Sequence, residues 1–147
     1  MPITHVIDPE LGLAVLRFQG VLTVDDVADA LDRCGESPDF RPDMDVLADL
    51  NHSTLAQSGF HDILHLARRL TPWYLRRSPA GRSVLWARSD VNFGIGRMYQ
   101  STVESRNPAQ VGVFRTESEA LGFLERDPLE RMAIAEHLER TRRDFAG

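Results

Sequence analysis

Apolar and polar residues follow two different periods along the chain, and the switches between them predict the order of its elements. Residues 5–8 and 12–18 are short apolar runs, and the segment between them has the Asp, Pro and Gly typical of a turn. They predict an N-terminal β-hairpin. Residues 45–50, 83–87 and 110–115 are three more runs of strand length.

Helical spacing appears between these runs. Thr23 predicts the N-cap of a helix that ends near Gly35, and a second helix is predicted from Gly59 to Leu70. The predicted buried stripe of the second helix is Phe60, Ile63, Leu64, Ala67 and Leu70.

Three more helices are predicted in the second half of the chain. One begins at Asp90 or Asn92 and runs to about residue 105, and the capping box at residues 116–119 begins the next. Pro128 at a first helical position begins the last, which continues to about residue 145. The predicted apolar side of this last helix is Leu129, Met132, Ala133 and Leu138.

The resulting order, β-β-α-β-α-β-α-β-α-α, predicts the fold class. Alternating strands and helices imply right-handed crossovers, hence a mixed, mostly parallel sheet of about five strands with the N-terminal hairpin at one side and helices on both faces. We expect a single α/β domain over residues 1–125, with residues 126–147 as an extra C-terminal helical extension.

Composition narrows the functional classes. The chain has 147 residues, 42% of them hydrophobic, and a net charge of -5, which argues against nucleic acid as a partner. Cys34 is the only cysteine, so no intrachain disulfide is expected and a reducing compartment fits. No signal-peptide pattern and no apolar run long enough for a transmembrane segment is present, so the expected localisation is cytoplasmic.

The strand at residues 45–50 runs into a polar segment ending at Gly59, and open α/β sheets bind ligands where such strands end. We predict a crevice there that binds a partner or a small apolar or anionic ligand, without a cofactor. The predicted binding or switch loop contains Asn51, His52, Ser53, Thr54 and Ser58. Further candidates for a ligand or interface surface are Trp73, Tyr74, Arg76, Arg77, Asn92 and Arg97.

The charges are also unevenly distributed. All residues from Arg68 to Arg88 that carry charge are arginines, whereas the segment from Asp25 to Asp49 is acidic. A surface with two signs suits docking to a protein partner or self-association as a homodimer, although an ordinary solvated surface would have the same pattern.

Two motifs suggest chemistry. His61 and His65 lie four apart with Asp62 between them, which imitates the zinc-protease motif with a shorter acid and no third ligand. A small hydrolase or transferase with one of these histidines as base is therefore an alternative function, but no catalytic set is predicted. The residues Gly94-Ile95-Gly96 are part of a dinucleotide fingerprint, or they allow close helix packing.

Four segments together resemble the SpoIIAA-like branch of the STAS superfamily, which is named for sulfate transporters and anti-sigma-factor antagonists. They are Phe18–Thr23, Val46–Leu50, Asn92–Gln100 and Val113–Leu124, and the resemblance covers about residues 3–125.

The resemblance implies a regulatory bacterial domain that binds partners or ligands and does no chemistry. In true anti-sigma-factor antagonists of this family, a serine at the start of the helix after the third strand is phosphorylated. Ser58 holds the corresponding position, so a phosphorylation switch there is an alternative function, with Gln57 standing where the family has Asp. A simple N-cap role for Ser58 is the competing interpretation.

Overall fold

A computed structural model describes residues 2–55 and 59–146, with side chains described to residue 144. The predicted order of elements is confirmed, with one short additional helix. In chain order the elements are β1 (Ile3–Asp8), β2 (Leu13–Leu22), α1 (Val24–Glu36), β3 (Asp45–Leu55), α2 (Phe60–Arg69), α3 (Thr71–Leu75), β4 (Arg82–Trp86), α4 (Asp90–Val103), β5 (Gln110–Phe114), α5 (Glu117–Phe123) and α6 (Pro128–Ala146).

The strands form one sheet in the order β1-β2-β3-β4-β5. β1 pairs antiparallel with β2, and every later pair is parallel. The predicted mixed sheet with an N-terminal hairpin is therefore confirmed. Because each parallel crossover steps the same way and is right-handed, α1, α2 and α4 all pack on one face.

Each sheet face has its own core because neighbouring side chains of a strand point to opposite faces. Ala14 and Leu16 of β2 pack with α1 and α2, whereas Leu13 and Val15 pack with α5 and α6. Helices on both faces are thus confirmed. Burial on both sides explains why residues 13–16 are all apolar.

The polar segment after Leu50 is strand rather than the predicted loop. Beyond a bulge between Arg17 and Gln19, residues 52–55 of β3 continue to pair with residues 19–22 of β2, whereas β4 pairs only as far as Asp49. These two paired segments are called the β2–β3 arm below. The arm lies beyond the body of the sheet, so His52 and Thr54 are exposed. Because this part of β3 has no alternation of apolar and polar residues, its sequence did not predict a strand.

The predicted apolar side of α6 is confirmed at Leu138 but wrong at Leu129 and Met132, which are 79% and 60% exposed. Ile134 and His137, which the prediction left out, are buried together with Leu138. The rotation of α6 is fixed by a contact that periodicity does not encode: the buried guanidinium of Arg17 donates to the carbonyl of Leu138 at 2.7 Å.

The predicted stripe of α2 needs two corrections. Phe60 is 57% exposed, and Leu66, which was not in the stripe, is buried beside Ile63 and Ala67. Phe60 is the first residue of α2. Directly after α2, Pro72 lies in the first turn of the additional short helix, α3.

Candidate functional site

A cavity lies between the sheet and helices α1, α2 and α4, under the β2–β3 arm. Its volume is about 110 Å³, well above the roughly 10–15 Å³ that one water molecule needs. Aliphatic and aromatic side chains from both layers form almost all of its wall. They include Leu16 and Phe18 of β2, Ala48 of β3, Leu66 of α2 and Ile95 of α4.

A few polar groups interrupt this apolar wall. Asn92, at the start of α4, donates through Nδ2 to the carbonyls of Leu50 at 2.8 Å and Ser53 at 2.9 Å. Ser53 and Asn92 both line the cavity. The amide therefore holds the arm against α4 at the carboxyl end of β3, where the half-buried residues Leu50, Ser53, Leu55 and Ile95 lie.

Two tyrosines meet on the same side of the sheet. The hydroxyls of Tyr74 and Tyr99 are 3.2 Å apart, and Tyr99 lines the cavity. Burial raises the pKa of both phenols, so each remains a neutral hydroxyl at physiological pH. The cavity thus offers hydroxyl and amide groups to a ligand, but no charge from these residues.

The start of α2 is close to the predicted switch. Gly59 is the N-cap of α2, and its N–H donates to Asp62 Oδ2 at 3.2 Å. The N-cap of α2 is therefore Gly59 and not Ser58, as the competing interpretation had it. Ser58 itself lies outside the described residues, and its phosphorylation stays a prediction.

The structure separates the residues that were predicted to form one crevice. Asn51, Ser53 and Asn92 lie together at the carboxyl end of β3: Asn51 Oδ1 accepts from the backbone N–H of Arg88 at 2.7 Å. His52 and Thr54 are exposed on the arm, and Arg97 is exposed further along α4.

Trp73 lines the same cavity as Ser53 and Asn92, as predicted. The rest of the segment to Arg77 lies towards the opposite end of the parallel strands, which corrects the predicted crevice. Arg77 donates to the carbonyls of Met44 at 2.7 Å and Arg82 at 3.2 Å, both of which border the amino ends of β3 and β4. Trp73, Tyr74 and Arg77 are buried, so they are core residues rather than an exposed interface. Arg76 is half-buried, 3.7 Å from Glu36.

Burial also changes the properties of two groups near this segment. It lowers the pKa of the Arg77 guanidinium to about 10, which leaves it charged, and raises the pKa of the Cys34 thiol to about 11. Cys34 is fully buried, and burial is the main reason that it stays a thiol.

His61 and His65 are both exposed on α2. Within residues 2–55 and 59–146, no group of three or more His, Cys, Asp or Glu side chains is arranged to hold a metal ion. The structure therefore brings no third ligand to the weak metal candidate at His61 and His65.

Sequence reasoning missed a polar network on the other face of the sheet. Arg17 and Asp49 form an ion pair of 2.5 Å with both side chains buried. Asp49 Oδ1 also accepts from Asn51 Nδ2 at 2.8 Å. A charged residue inside each of two apolar strand runs was the available signal, because such residues are almost never fully buried unless paired.

Comparisons with known proteins agree with this architecture. The chain is similar to the crystal structure of an uncharacterized protein of the DUF3478 family with a SpoIIAA-like fold from Shewanella loihica PV-4. The TM-score is 0.52 with 16% identity, over 83% of this chain and 93% of that one. No family model and no curated protein matches the chain. The likeness confirms the predicted SpoIIAA-like fold.

In the part of the chain that the structure describes, no helix is both long enough and apolar enough to cross a bilayer.

Proposed function

We propose that the chain is a non-enzymatic SpoIIAA-like domain that binds a small apolar molecule in the cavity between the sheet and α4. The cavity itself carries the proposal, because a concave, mostly apolar space with a few polar groups is the usual form of a small-molecule site. Well-packed cores leave few voids larger than a water molecule, so a space of about 110 Å³ is unusual in a domain of this size.

The chemistry of the wall favours binding over catalysis. Ser53 and Ser83 line the cavity, but none of the described lining residues is a His, Asp or Glu that could act as the base to activate them, and none is a Cys. Asn92 and Tyr99 supply polar groups at separate points of the wall. The matching ligand is a mainly hydrocarbon molecule with one or two neutral oxygen or nitrogen groups.

Binding of a neutral fluorescent probe, N-phenyl-1-naphthylamine, tests this proposal. We expect saturable fluorescence enhancement with the wild-type protein, excited outside the tryptophan band. Ile95→Trp introduces a large ring at the wall of the cavity and should abolish the enhancement while the thermal transition remains cooperative. Absence of saturable binding to the wild type would refute the proposal.

Val91→Trp is the matched control, because Val91 lies on the same helix but is exposed and outside the cavity wall. We expect it to bind the probe as the wild type does. Equal loss of binding in both variants would place the probe on the surface rather than in the cavity.

A second candidate function is docking of a protein partner or of a second copy of the chain. Three exposed apolar side chains lie at the carboxyl end of the sheet: Val21 on the arm, Phe60 at the start of α2 and Val91 at the start of α4. Exposed apolar groups of this kind occur at protein interfaces. Light scattering should give a dimer mass for the wild type and a monomer mass for Phe60→Asp, and a monomeric wild type would reject the homodimer.

A further inference from the structure

A second concave surface lies on the opposite face of the sheet from the cavity. It is a groove of about 650 Å³ between the carboxyl ends of the strands and the last turns of α6. Four of its lining residues are arginines: Arg17 of β2, Arg88 and Arg115 in the loops after β4 and β5, and Arg142 of α6. We refer to this surface as the arginine groove. Glu117 and Glu139 are its acidic lining residues.

Aromatic rings hold two of these guanidinium groups in place. Arg88 lies over Trp86 at 5.1 Å from the ring centroid, and Arg115 lies over Phe93 at 4.2 Å. Stacking of this kind restricts a long side chain, so less conformational entropy is lost when it binds a ligand.

Three of the four guanidinium groups, those of Arg88, Arg115 and Arg142, are on exposed side chains. Arg142 pairs with Glu139 of the same groove at 2.6 Å, and both side chains are about half exposed. Among the described residues, Arg88 has no carboxylate within ion-pair distance. Arg115 pairs with Asp90 at 2.6 Å, but that carboxylate is 92% exposed. Exposed pairs of this kind contribute little, so an incoming anion can replace Asp90.

The buried wall of the groove also contains an unused donor. Arg17 gives Nη1 to Asp49 and Nη2 to Leu138, but its Nε has no acceptor among the described residues although it is fully buried. A buried N–H without a partner is costly, so Arg17 is a strained part of the wall, and the ligand contacts are assigned to the other three arginines.

We propose that the arginine groove binds a small organic anion through a phosphate or carboxylate group. Guanidinium groups suit both, because their planar N–H forks match pairs of oxyanion oxygens. Arg88 and Arg142 bind the anion from the rim of the groove. Arg115, directly after β5, provides the third guanidinium group. This site is independent of the apolar cavity, since the sheet separates the two.

The indole N–H of Trp86 provides a local probe of the groove. It donates to the carbonyl of Arg115 at 3.2 Å, whereas Trp73, the other tryptophan, is buried on the opposite face. We would titrate the ¹⁵N-labelled full chain with pyrophosphate and, separately, with citrate, each against sodium chloride of equal ionic strength. A saturating shift of the Trp86 indole resonance with either anion, with Trp73 unmoved, is the expected result.

Arg88→Gln removes one charge-assisted contact and should weaken binding about tenfold. Arg142→Gln, in a different element, is expected to weaken it similarly. Arg33→Gln removes the same charge from an exposed position on α1, on the other face, and should leave the affinity unchanged. The proposal is overturned if neither anion gives a saturable Trp86 shift, or if Arg88→Gln and Arg142→Gln bind as tightly as the wild type.

Discussion

Gly94 and Gly96 show at the residue scale how neighbours in sequence acquire opposite roles. Both lie in α4, but a Cβ at Gly96 would be 2.8 Å from Val113 Cγ1, whereas a Cβ at Gly94 would meet nothing within 4 Å. Gly96 therefore allows α4 to pack closely on β5. The close-packing interpretation of this glycine pair holds for Gly96 alone.

Alanine substitutions should separate these roles. We expect Gly96→Ala to lower the free energy of unfolding by about 1–3 kcal/mol through overpacking. Gly94→Ala should raise it by roughly 0.5–1 kcal/mol, because alanine loses less backbone entropy in a helix. Urea denaturation measures both, and a loss of stability in Gly94→Ala would contradict the open surroundings of that position.

The buried pair of Arg17 and Asp49 predicts a larger effect. Arg17→Met leaves the carboxylate of Asp49 buried without its cation, which should cost about 3–5 kcal/mol. Arg69→Met breaks an exposed ion pair with Asp25 instead, and there we expect a loss of roughly 0–1 kcal/mol. Equal losses in chemical denaturation would show that the buried pair contributes no more than the exposed one.

His137 should make stability depend on pH. Burial lowers the pKa of His137 below the ordinary value of 6.5. Asp8, 3.8 Å away, raises this pKa, whereas the positive charges of Arg140 and Arg17 lower it further. As pH falls through 6.5, the unfolded chain binds a proton that the folded chain resists, so the free energy of unfolding decreases until the folded pKa is reached.

Between about pH 7.5 and about pH 5, the free energy of unfolding should therefore decrease less for His137→Gln than for the wild type. Unfolding curves measured across this range test the prediction. His52→Gln, which changes an exposed histidine on the arm, should keep the wild-type slope. An unchanged slope in His137→Gln would rule out His137 as a source of the pH dependence.

At the scale of elements, the β2–β3 arm depends on α4. Asn92 joins the two through its bonds to the Leu50 and Ser53 carbonyls. Asn92→Ala should destabilise the protein by about 1–3 kcal/mol, since two carbonyls lose their donor. Hydrogen exchange should accelerate most at residues 52–55, whereas uniform acceleration would mean that the arm does not open separately.

At the scale of the whole molecule, α6 closes the second core. Ile134 and Leu138 are buried against Leu13, Leu47 and Val84 of the sheet. Ending the chain at residue 125 would expose this face and remove the Leu138 carbonyl from Arg17. We expect loss of the cooperative thermal transition in circular dichroism. Leu129→Ser, at an exposed site of the same helix, should shift the transition little, and a stable truncated domain would show that α6 is dispensable.

Much of this architecture was predictable from local patterns. A strand or a helix cap depends on residues that are close together in the chain, so the sequence reveals it directly. Examples are the strand predicted at residues 83–87 and the caps at Thr23 and Thr116. The arm was not predictable, because its pairing depends on how far β2 extends past its bulge. Trp73 and Arg77 were misassigned since aromatic and basic residues look alike in sequence whether they form an interface or a core.

The sequence by itself determined the order of elements and the mixed sheet, because hydrophobic period, caps and turn residues are short-range properties. The SpoIIAA-like fold came from the resemblance of four segments to that family. Tertiary structure alone decided the phase of α6, the cavity beneath the arm and the convergence of Arg17, Arg88, Arg115 and Arg142 in one groove. Those features join residues far apart in the chain, and only the packing of whole elements brings their side chains together.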